Sequence, residues 1–179
     1  MLIDAQKKAL VELARRSVVA TVTGSASPSA LTFDLPDASG AFVTLKRRGE
    51  LRGCLGTLQC RRGLAGEVAR CAVDAATEDP RFPPVSAEEL PELSVEVSVL
   101  GPLERINPRD PGAIVIGRHG LVAEQGYRRG LLLPQVATEW GWTVDQFVRQ
   151  TCVKAGLPPD AWQHGAHISR FEAEVFGDS

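Results

Sequence analysis

Residues Leu93-Ser94-Val95-Glu96-Val97-Ser98-Val99-Leu100 alternate without a break, and this period of two constrains the fold more than any other stretch. Successive side chains of a strand point to opposite faces. Leu93, Val95, Val97 and Val99 are therefore predicted to face one way, and Ser94, Glu96 and Ser98 the other. Two further strands are predicted upstream: Ala41 to Lys46, and Leu51 to Leu58 across an Arg47-Arg48-Gly49-Glu50 turn.

Helical periodicity accounts for most of the remainder. Asp4 is a candidate N-cap for a helix to about Thr21, with Leu10, Leu13, Ala14 and Val18 as its apolar stripe. Gly24 to Ser29 reads as loop. Leu64, Val68, Cys71, Ala72 and Ala75 share one face of a helix to about Thr77, which makes Cys71 a small core residue. Pro80, Pro83 and Pro84 exclude regular structure from Asp79 to Pro84. Short strands are predicted at Ala113–Ile116 and Leu121–Glu124, with a turn at Gly126–Gly130. Pro134 opens a helix to about Trp140, and a Thr143/Gln146 capping box opens another to Lys154. Gly156 and Pro158-Pro159 end that helix, and His167 to Phe176 closes the chain as a strand. Strands and helices mix without a βαβ rhythm. The prediction is an α+β fold, a mainly antiparallel sheet flanked by helices, with room for a smaller second lobe. At 179 residues the chain fits a single domain spanning 1–179.

Charge and cysteine usage narrow the function. A net charge of −2 and a pI near 5.9 argue against a general nucleic-acid binder. No signal peptide or apolar run of about 20 residues is present, so no membrane role is expected. Cys54, Cys60, Cys71 and Cys152 form no CxxC pair, as expected of reduced thiols in the cytoplasm.

The chemistry concentrates in Leu51-Arg52-Gly53-Cys54-Leu55-Gly56. In an extended segment Arg52, Cys54 and Gly56 share a face. A guanidinium beside a thiol favours the reactive thiolate, and glycine within a strand marks a bulge or a close backbone approach. Lys46, Arg47, Arg48, Arg52, Arg61 and Arg62 surround the thiol with only Glu50 among them, a cation cluster suited to a carboxylate or phosphate. Solvated turns are the simpler account of Arg47-Arg48 and Arg61-Arg62, and a small buried side chain accounts for Cys54 as well as a functional thiol does.

These segments resemble the AMMECR domain family, whose prokaryotic members are called AmmeMemoRadiSam system protein A. The resemblance rests on Leu51–Gly56, Asp79-Pro80-Arg81-Phe82-Pro83-Pro84, Glu92–Leu100, Gly117-Arg118-His119-Gly120-Leu121, Leu132–Ala137 and Cys152–Leu157. It implies a single α/β module with no assigned reaction. It also implies a pathway shared with Memo-like and radical SAM proteins, of a modification or redox kind. Leu55 stands where many relatives carry isoleucine, a volume-conserving change.

His119, in a predicted Gly-rich turn, is the candidate base to pair with Cys54. Arg81 is a candidate clamp for an anionic ligand beside Cys54, or a donor to carbonyls that the prolines leave unpaired. Arg52, Gly53 and Gly56 complete the candidate ligand-binding set. Glu139 reads as a solvated acid, and Trp140, Trp142 and Trp162 as packing. His164, His167 and Cys152 match no metal-ligand signature, so neither a metal nor a cofactor is expected. Two functions follow: a Cys54 enzyme with His119 as acid or base acting on a small anionic substrate, or a non-catalytic ligand-binding or adaptor module docking a Memo-like or radical SAM partner.

Overall fold

The computed structural model describes residues 2–29 and 34–178. The elements are α1 (Asp4–Thr23), β1 (Gly40–Arg47), β2 (Glu50–Thr57), α2 (Leu64–Thr77), β3 (Leu93–Leu100), β4 (Glu104–Ile106), β5 (His119–Gln125), β6 (Arg128–Leu132), α3 (Pro134–Trp140), α4 (Val144–Lys154) and β7 (His167–Gly177). Single 3-10 turns occupy Ala87–Glu92 and Ala161–Gln163. The predicted α+β class, with antiparallel pairing and flanking helices, is the class observed. The chain divides into two compact units, Met1–Gly101 with Glu174–Ser179, and Pro102–Ala173.

In the first unit the strand order is β2-β1-β3, followed by the end of β7. The alternation of β3 meets that of β1 in register, with Val43 opposite Val97 and Leu45 opposite Val95. These four side chains are buried beneath Val68, Cys71, Ala72 and Ala75 of α2 and Leu10, Ala14 and Val18 of α1. Cys71 is the core residue its helical spacing implies, and burial pushes its thiol up to about 11. Arg48 and Gly49 have φ of 52° and 83°, the double left-handed geometry of the tight turn that matches strand twist. Asp4 is the first helical residue, and the cap position falls on Ile3, whose N–H donates to Gln6 Oε1 at 2.9 Å. The acid predicted to cap thus lies inside the first turn, where the helix dipole favours it.

In the second unit β5 pairs with β6 and β7, and β4 pairs with β7. Leu121, Ala123, Phe147, Val148, Cys152 and Ile168 form its core. The capping box holds: Gln146 N–H donates to Thr143 Oγ1, and Thr143 N–H to Gln146 Oε1. Ala113–Ile116 forms bends and turns where a strand was expected, and β4 was not foreseen. The apolar residues of 113–116 mislead because Ile114 packs into the core from a turn. His119 is the first residue of β5, not a turn residue.

Candidate functional site

Glycine explains how β2 lies where it does. A Cβ on Gly53 would come within 2.2 Å of Ala75 O, so β2 reaches α2 only with glycine there. A Cβ on Gly56 would meet the Phe42 ring at 2.2 Å. Both glycines of the motif therefore have packing reasons for their identity.

The strand is also irregular. Lys46 pairs with Leu51 and Leu45 with Gly53, leaving Arg52 as the extra residue of a bulge. Simple alternation, which puts Arg52 on the face of Cys54, ends at that bulge. The Arg52 side chain, only 12% exposed, grips Glu89: Nε donates to Oε1 at 2.8 Å and Nη2 to Oε2 at 3.1 Å. Nη1 and Nη2 also donate to the carbonyls of Pro83 and Pro84. The partner expected to tune the thiol is thus tied into the proline loop. Among the described residues, Cys54 Sγ has its hydrogen bond with Thr44 Oγ1, at 3.1 Å.

β2 is the edge of its sheet, and an edge strand offers unpaired backbone groups to solvent. At Cys54 those groups are taken by two side chains from the Asp79–Pro84 loop. Cys54 N–H donates to Asp79 Oδ2 at 2.9 Å, and Arg81 Nη2 donates to Cys54 O at 3.4 Å. Asp79 and Arg81 bind each other through Nε–Oδ1 at 3.0 Å and Nη2–Oδ2 at 2.8 Å. The pair stands in for a neighbouring strand. Its halves differ in exposure, 2% for the Asp79 side chain against 56% for Arg81. The Arg81 guanidinium holds the Asp79 carboxyl far below the usual carboxylate range, helped by the N–H of Cys54. The Phe82 ring is near both guanidinium groups, 5.9 Å from Arg52 and 5.5 Å from Arg81, within cation–π range.

The structure therefore brings Arg52, Gly53, Cys54, Gly56 and Arg81 together in the first unit. His119 belongs to the second. His119 is 5% exposed; its Nδ1 accepts from Val115 N–H at 2.9 Å, and its Nε2 lies 4.0 Å from Glu172 Oε1. Burial first, then the charges of Arg170 and Arg118, hold its pKa below the ordinary value.

Asp79, Glu89 and Thr44 were missed by sequence reasoning. Ser86-x-x-Glu89 is a capping-box pattern, and Ser86 N–H does donate to Glu89 Oε2 at 2.8 Å. Asp79 before a proline is a turn signal, and its Oδ1 accepts from Arg81 N–H at 3.0 Å. Both patterns locate a turn, but neither names the distant arginine or cysteine that the acid meets. The cation cluster is also paired from afar. Lys46 meets Glu96, Arg47 meets Glu89 and Glu92, and Arg48 meets Glu92.

An antiparallel α+β unit with a bulged Arg-Gly-Cys edge strand, braced by a proline loop, defines a class of domain rather than a reaction. Residues 11–176 match the AMMECR1 family model, and the chain belongs to that family. It is 47% identical over 178 residues to a protein of Methanothermobacter thermautotrophicus, covering 94% of this chain and 92% of the other. A protein of Methanosarcina barkeri is 43% identical, with 98% and 92% covered. The crystal structure of the uncharacterized protein PH0010 from Pyrococcus horikoshii resembles the chain with a TM-score of 0.83 and 40% identity, over 99% of this chain and 94% of that one.

Proposed function

We propose that the chain is a binding module whose docking surface is centred on Arg81 and Phe82. One observation carries this reading. The Asp79–Arg81 pair fixes a guanidinium on Cys54 of the edge strand and still leaves 56% of the arginine side chain exposed. A charged fork held in place loses little entropy on binding, and arginine and aromatic anchors dominate protein interfaces. Arg52, Gly53 and Gly56 shape the strand beneath it. The occupant is an acidic group of a small ligand or of a partner protein of the Memo-like or radical SAM type, the partners that the AmmeMemoRadiSam resemblance implies. The chain's four free cysteines suit a reducing compartment, and a cytoplasmic location accompanies the proposal. No helix among the described residues is long and apolar enough to cross a membrane.

A second reading keeps Cys54 as a nucleophile on a small anionic substrate, with His119 as acid or base, in a modification or redox pathway. The half-buried thiol and its bond to the Thr44 hydroxyl favour it. Iodoacetamide labelling and partner recovery separate the two. On the docking reading, Cys54→Ala recovers purified Memo-like or radical SAM partner as wild type does, and Cys54 labels no faster than free cysteine. Fast labelling at neutral pH, with loss of turnover in Cys54→Ala, would overturn docking in favour of catalysis.

A further inference from the structure

The edge of β2 narrows what the Arg81 surface can hold. In an antiparallel pair the backbone groups of every second residue face outward. Cys54 faces outward, since its N–H meets Asp79 and its carbonyl meets Arg81. The pairings Thr44–Cys54, Val43–Leu55 and Phe42–Gly56 follow one another without a shift, so Gly56 faces outward too. Gly56 is exposed, and among the described residues β2 pairs with β1 alone. Its N–H and carbonyl are therefore open to a new partner strand. Toward Arg52 the edge is closed by the bulge and by the bonds to Pro83 and Pro84.

The two halves of the Asp79–Arg81 pair set the direction of that strand. Opposite Cys54, an added antiparallel strand would give one N–H to the Cys54 carbonyl and one carbonyl to the Cys54 N–H. Arg81 and Asp79 already fill both roles. An incoming chain must therefore end between Gly56 and Cys54, a span of about 7 Å for two extended residues. An antiparallel chain arrives there with its C-terminus, and a carboxylate suits the planar fork of Arg81, whose side chain is 56% exposed. A parallel chain would bring an ammonium group against the same guanidinium, and like charges exclude it. Phe42 adds a contact for a side chain. A Cβ on Gly56 would meet the Phe42 ring at 2.2 Å, and the residue paired with Gly56 points its own side chain to that face.

We infer that β2 captures the free C-terminus of an extended peptide. The penultimate residue exchanges both backbone hydrogen bonds with Gly56 and lays an apolar side chain against Phe42, and the terminal carboxylate takes Arg81. The inference rests on the docking surface proposed above and names its occupant, the C-terminal end of a partner protein.

NMR titration of the isotope-labelled chain with acetyl-Thr-Val-Thr-Leu-Ala tests it, beside the C-terminal amide of that peptide and two N-methylated forms. The free acid should shift the Gly56 amide resonance and bind at least about tenfold more tightly than the amide. A methyl on the leucine nitrogen removes the donor to the Gly56 carbonyl and should also cost at least about tenfold. A methyl on the alanine nitrogen points away from β2 and should leave affinity within about twofold. Arg81→Gln should erase the preference for acid over amide, and the peptide series carries the test if that variant does not fold. Absence of binding, equal binding of acid and amide, or equal loss from either methyl would overturn the inference. Partner recovery that still depends on Arg81 would in that event keep the docking surface without strand addition, whereas recovery indifferent to Arg81 would remove both.

Discussion

Arg52 and Arg81 both approach Phe82 and each grips a carboxylate, yet they perform different work. Arg52 is 12% exposed and its partner Glu89 11%. Both side chains of that pair are largely withdrawn from water, and the remaining donors of Arg52 serve the carbonyls of the proline loop. Arg81 holds an acid that is buried more deeply still, at 2%, but its own side chain is 56% exposed. The first pair locks a loop to a strand. The second locks the strand edge and presents what is left over. A buried acid with a buried base is architecture, whereas a buried acid with an exposed base is architecture on one side and recognition on the other.

The largest effect should come from breaking the closed pair. Glu89→Ala leaves Arg52 buried without its carboxylate and removes the acceptor of Ser86 N–H, at a cost of about 3–5 kcal/mol in urea unfolding. A loss comparable to that of a surface pair would refute the closed-pair description. Gly53→Ala should cost about 1–3 kcal/mol, because the new methyl meets Ala75 O and the strand must lift from α2. The same unfolding curves measure it, and an unchanged midpoint would deny the tight approach.

Acid sharpens the comparison. The Glu89 carboxyl is lowered from 4.5 to about 2, first by the hydrogen bond from Arg52 and then by Ser86 N–H. A lowered carboxyl pKa contributes stability above its unfolded value and loses it as pH falls toward the folded one. Asp79 shifts the same way, through Arg81. Stability should therefore decline from about pH 5 to pH 2, and Glu89→Gln should flatten part of that decline in thermal melts.

The sequence made much of this legible because periodicity is local. The alternation of β3 and the capping box of α4 each lie within a few consecutive residues, and both appear where expected. The bulge at Arg52 was not legible, because it depends on how β1 and β2 pair. The acids of the cation cluster were hidden for the same reason. Glu89, Glu92 and Glu96 follow Arg52 by more than thirty residues and return to β1 and β2 through the fold. The location of the site could be read from the motif, but the direction of each guanidinium depended on its distant acid.

Arg81→Lys tests the central claim most directly. Lysine keeps a positive charge beside Asp79 and loses the planar fork. Folding stability and partner recovery, measured on this one variant, should separate. Unfolding free energy should stay within about 1 kcal/mol of wild type, while recovery of a purified Memo-like or radical SAM partner falls at least about tenfold. Recovery equal to wild type would contradict the account and place Arg81 with Arg52, as a strut and nothing more.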